Sequence, residues 1–127
     1  MTKKIDEVMN EDENVDVDVD VDEKIIFSLI SFSGDAKSCL FEAFNNIKEG
    51  NYDLANNIME EAEKSLMKAH EIQTKLIQKE AEGDHIKVNI LMAHAQDHLM
   101  NTLLARDLVK NMIEMQKEIN NLKEKIK

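Results

Sequence analysis

The chain has 127 residues, a size for one domain, and 16 Lys and Arg against 26 Asp and Glu give it a formal charge of -10. It has no Pro and only three Gly, and it is rich in straight-chain side chains that lose little rotamer freedom in a helix, which argues against a β-rich fold. The single Cys39 excludes an internal disulfide, no apolar run reaches the roughly 18 residues of a membrane span, and the acidic start is unlike a signal peptide, so a soluble, cytoplasmic protein is expected.

Residues 1–23 hold ten acidic side chains and two lysines, so most of the negative charge lies there. From Lys24 onward, 16 acids stand against 14 bases, a nearly neutral body without the basic patch that nucleic acid needs. Val15-Asp16-Val17-Asp18-Val19-Asp20-Val21-Asp22 alternates like a strand. A strand that buried the valines would line its other face with four aspartates and no basic partner. Residues 1–23 are therefore predicted to be a disordered acidic tail, and residues 24–127 the folded domain.

From Lys24 the period becomes helical. Ile25, Ile26, Leu29, Ile30, Ala36, Leu40, Ala43, Phe44 and Ile47 form an apolar stripe, interrupted at Ser33-Gly34-Asp35, and Gly50 supplies a left-handed stop. A second helix is predicted from about Tyr52 to Glu82, with Leu54, Ile58, Ala62, Leu66, Ala69, Ile72 and Leu76 inward, and Gly83-Asp84 ends it. A third runs from about Lys87 towards the C-terminus, where Lys117, Lys123, Lys125 and Lys127 suit the negative end of the helix dipole. Two short connections make neighbouring helices antiparallel. The expected fold is all-α, an up-down-up three-helix bundle.

The third helix is apolar around most of its circumference. At about 100° per residue, Ile90, Ala105, Leu108 and Met112 share one face, while Met92, Leu99 and Leu103 lie nearly opposite. Two partner helices cannot cover so much surface, so the bundle is expected to self-associate.

His94, Asp97, His98 and Asn101 stand at i, i+3, i+4 and i+7 on one side of that helix, following Ile90 and preceding Ala105, Leu108 and Met112. A polar cluster inside an apolar stripe needs a reason, since an unpartnered buried polar group costs about 1–3 kcal/mol. Spacing alone leaves three readings open. The first is a polar layer that fixes helix register or oligomer number. The second is a metal site, since His94 and His98 can share an ion and Asp97 can add an oxygen ligand. His-Ala-Gln-Asp-His is not His-Glu-x-x-His, however, and no third ligand lies nearby in sequence. The third is a histidine nucleophile, because neutral imidazole keeps a lone pair near pH 7 and can both receive and release phosphate.

The segment Ala93-His94-Ala95-Gln96-Asp97-His98-Leu99-Met100, followed by Leu103-Leu104-Ala105-Arg106-Asp107-Leu108, resembles the signature of the lactose/cellobiose-specific IIA family of bacterial sugar phosphotransferase systems. Ser33-Gly34-Asp35-Ala36-Lys37, Gly50-Asn51-Tyr52-Asp53-Leu54-Ala55 and Glu71-Ile72-Gln73-Thr74-Lys75-Leu76 resemble its other recurrent stretches, in the family's order. The resemblance implies a homotrimer of three-helix bundles. It implies that His94 is phosphorylated by the histidine phosphocarrier protein and passes the phosphate to the cognate IIB component. IIB then modifies a disaccharide of the lactose, cellobiose or chitobiose type entering through the membrane-embedded IIC component. The family's axial aspartate falls on Asp97, three copies of which would bind a divalent cation, Mg2+, and His98 takes an orienting role beside it. The acidic tail departs from the family pattern, where many members begin closer to the first helix. The alternative from another class is a non-catalytic helical oligomer whose His94–Asp97–His98 layer serves assembly or metal binding.

The remaining reactive side chains read as structural. His70 is expected to be packed or hydrogen-bonded and His85 solvated in a loop. Met59, Met67, Met92, Met100, Met112 and Met115 are expected to fill the core. Cys39 has no visible activating partner and is expected to be inert. Gln73 is a candidate to face the His94 region.

Overall fold

The computed structural model describes residues 21–127. Three helices fill it: α1 (Glu23–Lys48), α2 (Tyr52–Ala81) and α3 (Ile90–Ile126). Among the described residues, no helix is long and apolar enough to cross a membrane.

Each helix begins or ends where local chemistry dictates. Asp22 caps α1, its carboxylate accepting from the backbone N–H of Lys24 at 2.8 Å. Asn89 caps α3 in the same way, accepting from Met92 N–H at 2.8 Å, so that helix starts three residues later than the periodicity suggests. α1 and α2 end alike. Gly50 (φ 83°) and Gly83 (φ 100°) take the left-handed position, and the residue after each donates back into the last turn, Asn51 to the Asn46 carbonyl at 2.8 Å and Asp84 to that of Lys79 at 3.0 Å.

Of the predicted acidic tail, residues 1–20 lie outside the described residues. Its last three belong to the fold. Val21 is buried, Asp22 is the cap and Glu23 opens α1.

The buried residues of α1 are Ile26, Leu29, Ser33, Ala36, Leu40, Ala43 and Ile47. Their steps alternate three and four, the repeat that keeps one seam facing a partner helix. The expected interruption at Ser33-Gly34-Asp35 is therefore absent: Ser33 occupies a seam position, fully buried, and the helix runs straight through. On α2, Ala55, Ala62 and Ala69 recur every seventh residue in the core, which lets α1 approach closely. The core divides into a large cluster around Leu29, Leu66 and Leu99 and two smaller ones nearer the other end, around Leu40 and Ile47. Each fully buried leucine contributes about 1.5–3 kcal/mol of transfer free energy.

α1 is the shared partner. It packs along both other helices, whereas α2 and α3 barely meet. Near the C-terminal end of α3, Asn120 donates its amide to the Ile47 carbonyl at 2.8 Å and to the Tyr52 hydroxyl at 2.9 Å, tying α3 to the α1–α2 turn.

Candidate functional site

α3 carries the polar cluster on the side turned away from α1. Its inward side is Met92, Ala95, Leu99, Thr102 and Val109. His94, Asp97 and Asn101 are exposed and His98 is half-buried. On the same outward stripe Ile90, Leu104, Leu108, Met115, Ile119 and Leu122 are exposed as well. The all-round apolar helix thus splits into a core face and a face left open in a single chain.

The two histidines meet. Their Nε2 atoms are 3.1 Å apart, with the rings nearly perpendicular at 86° and centroids 4.5 Å apart. At that separation one nitrogen donates and the other accepts, so His98 orients the His94 ring or the reverse. His98 is held in turn through its own turn of helix. Thr102 Oγ1 donates to the His98 carbonyl at 2.8 Å and reaches the Ser33 carbonyl of α1 at 3.2 Å. Thr102 is 1% exposed, so this link joins the site to the core. The sequence reading missed Thr102; its place four residues after His98 was the available signal.

Asp97 and Asn101 share the outward stripe with His94 but do not join the histidine pair. Among the described residues, no group of three or more His, Cys, Asp or Glu side chains could hold a metal ion. The single-chain metal reading of His94, Asp97 and His98 therefore finds no assembled site.

Gln73, His70 and four of the methionines are placed differently than expected. Gln73 reaches α3, donating to Gln96 Oε1 at 2.9 Å and contacting Met100 Sδ at 3.4 Å. Gln96 lies about 200° around the helix from His94, so Gln73 braces α2 against α3 rather than facing the nucleophile candidate. His70 is exposed and lines a groove of about 210 Å3 with Glu63, Met67, Leu103 and Arg106, instead of packing inside. His85 lies in the loop with its side chain still 44% exposed, and its Nδ1 is 2.9 Å from Glu80 Oε1. That contact and the Ile86 N–H donating at 2.6 Å hold the Glu80 carboxyl below its ordinary value. Met92 is core, whereas Met67, Met100, Met112 and Met115 are exposed, the last two on the outward stripe. Burial pushes the Cys39 thiol above its ordinary value, and the negative charges of Glu42, Asp35 and Glu61 add to this, so it is a poor nucleophile.

Residues 24–117 match the family model described as PTS system, Lactose/Cellobiose specific IIA subunit. The chain belongs to the lactose/cellobiose-specific IIA family. The lactose-specific EIIA component of Staphylococcus epidermidis is 45% identical over 92 residues, covering 72% of this chain and 88% of the relative. The crystal structure of the cellobiose-specific enzyme IIA from Bacillus anthracis superposes with a TM-score of 0.74 at 38% identity, covering 78% of this chain and 91% of the other. The IIA(Chitobiose) structure solved in complex with HPr from the Escherichia coli phosphotransferase system gives 0.67 at 36% identity, covering 77% and 95%. As a member of the IIA family the chain is a phosphocarrier of a sugar phosphotransferase system, a phosphotransferase component that works through a histidine. A non-catalytic helical oligomer, the other reading of the cluster, finds no support in the family.

Proposed function

We propose that His94 is the phosphorylated residue, receiving phosphate from the histidine phosphocarrier protein and giving it to a cognate IIB component in the cytoplasm. The observation that carries this is its position: an exposed imidazole whose Nε2 meets the ring of a half-buried histidine. A ring nitrogen of neutral His94 attacks the phosphorus of the donor phosphohistidine. The new P–N bond forms as the donor's P–N bond breaks, and the donor imidazole leaves. Such transfers need in-line positioning and charge stabilisation more than further covalent machinery. With phosphate on Nε2, the His98 N–H that faced that nitrogen can donate to a phosphoryl oxygen. The IIB component in turn modifies a disaccharide of the lactose, cellobiose or chitobiose type entering through a membrane IIC component.

The assembly is a homotrimer built on the outward stripe of α3. Leu104, Leu108, Met112, Met115, Ile119, Leu122 and Ile126 follow one another at steps of three and four and are all exposed. Glu118 and Lys123 flank this seam five residues apart, the spacing at which a parallel neighbour pairs them across the interface. In such a trimer three copies of exposed Asp97 converge near the axis. Carboxylates so placed repel one another unless bridged, and an oxygen-preferring ion such as Mg2+ fits that donor set. The ion would neutralise the axial charge; Asp97 would hold it.

Intact mass after incubation with phosphoenolpyruvate, Enzyme I and the histidine phosphocarrier protein tests the assignment. One acid-labile phosphate is expected on the wild type and none on His94→Gln. Phosphate arriving at a normal rate on His94→Gln would move the site to another residue. Asp97→Leu should abolish metal dependence while leaving the assembly intact in metal-free buffer; dissociation there would contradict the charge-repulsion argument.

A further inference from the structure

Nothing grips the two histidine rings except each other. Among the described residues, neither ring has a hydrogen-bond partner besides its mate, so their 3.1 Å contact depends on where the α3 backbone puts them. His94, His98 and Thr102 follow at steps of four, each step turning about 40° around the helix. The ridge they form passes from the open face into the core: His94 is exposed, His98 half-buried and Thr102 buried.

Thr102 ends that ridge against α1. Its hydroxyl has a single proton and two carbonyls in reach, that of His98 at 2.8 Å and that of Ser33 at 3.2 Å. Sharing the proton between them ties the His98 turn to one height on α1. A bond back to the carbonyl four residues earlier also bends a helix locally, which sets the tilt of that turn. No second hydroxyl does this work at the crossing, because Ser33 Oγ is buried and unpartnered among the described residues. Among the described residues, the other side-chain hydrogen bond from α3 to α1 is made by Asn120, about 27 Å further along the helix.

We propose that Thr102 is the positioning residue of the phosphate site. Its hydroxyl seats the α3 backbone on α1 so that His98 presents its ring nitrogen to His94, and it touches neither phosphate nor donor. This role deepens the phosphocarrier reading and rests on His94 as the acceptor.

Kinetics of phosphate acceptance from the histidine phosphocarrier protein, alongside NMR of the imidazole nitrogens, test this in the full chain. Thr102→Val keeps the side-chain shape and removes the hydroxyl. It should lower kcat by roughly tenfold or more with KM for the donor unchanged, since a misplaced nucleophile loses rate rather than docking. The ring nitrogens of His94 and His98 should shift together towards those of separate, solvated imidazoles. Thr102→Ser restores the donor and should recover both the rate and the spectrum. Val109→Ala trims the same inward face further from the histidines and should change neither. A wild-type rate and spectrum in Thr102→Val would overturn the proposal. An equal loss in Val109→Ala would overturn it too, by marking the effect as a general loosening of the bundle. Phosphate arriving normally on His94→Gln would overturn the acceptor assignment and with it this role, an outcome distinct from a normal rate in Thr102→Val.

Discussion

The inward side of α3 places Met92, Ala95, Leu99 and Val109 at 3% exposure or less, whereas the outward side leaves Ile90, Leu104 and Leu108 at 53% or more. Both sides are apolar, yet they serve different ends. The inward stripe, with Thr102 as its one buried hydroxyl, docks the helix on α1. The outward stripe carries the histidine pair at its start and a leucine and methionine seam beyond it. One apolar face of this helix is spent on folding; the other is left exposed by the fold, and the proposed assembly would give it a use.

Substitutions on the two sides should separate accordingly. The largest effect is expected from His94→Gln, which should lose phosphate acceptance outright, read by intact mass, while circular dichroism stays unchanged; a collapsed helix signal would place His94 among the folding residues. Next, Leu99→Ala should destabilise the bundle by about 2–5 kcal/mol in chemical denaturation, since it leaves a cavity in the largest cluster. Leu108→Asp should act the other way round. Sedimentation is expected to show loss of self-association with helix content retained, and a wild-type sedimentation profile would remove the outward seam as an interface. Thr102→Val should cost about 1 kcal/mol by removing the hydroxyl that bridges His98 and Ser33, a smaller inward effect transmitted to the site.

The smallest effect concerns the connection before α3. Glu80 is held below its ordinary value by His85 and the Ile86 N–H, so its contribution is present above about pH 4.5 and is lost as pH falls through the lowered value. Amide exchange at residues 84–89 should differ between wild type and Glu80→Gln near pH 6, and the difference should vanish once the pH has fallen below the lowered Glu80 value. A difference that persists at low pH would assign the effect to packing instead.

Much of this division was legible in residue spacing. The helix stops at Gly50 and Gly83, the number of helices and the shared face of His94, Asp97 and His98 all follow from periodicity and turn chemistry. Ser33 interrupts the apolar stripe in sequence yet occupies a buried seam position opposite Thr102, a pairing that spacing along one helix does not reveal. Met92 and Met59 join the core as expected, whereas Met67, Met100, Met112 and Met115 do not, because helical spacing alone cannot say which of two apolar faces meets the chain's own core. The partner of Gln73 and the links made by Thr102 and Asn120 were illegible for a different reason. Each joins residues 23 to 73 positions apart, which local pattern does not encode.

The central position of α1 also bears on synthesis. It is made before the other two helices, and both pack on it while barely touching each other. The α1–α2 hairpin can begin to close once Ala81 is free, before α3 exists, because its contacts are local in sequence, while Met92, Ala95, Leu99 and Val109 of α3 complete the shared core later. α3 then arrives onto the α1–α2 hairpin, and Asn120, near the end of α3, closes over the α1–α2 turn. A chain cut short before that residue would keep its histidine pair and lose its latch.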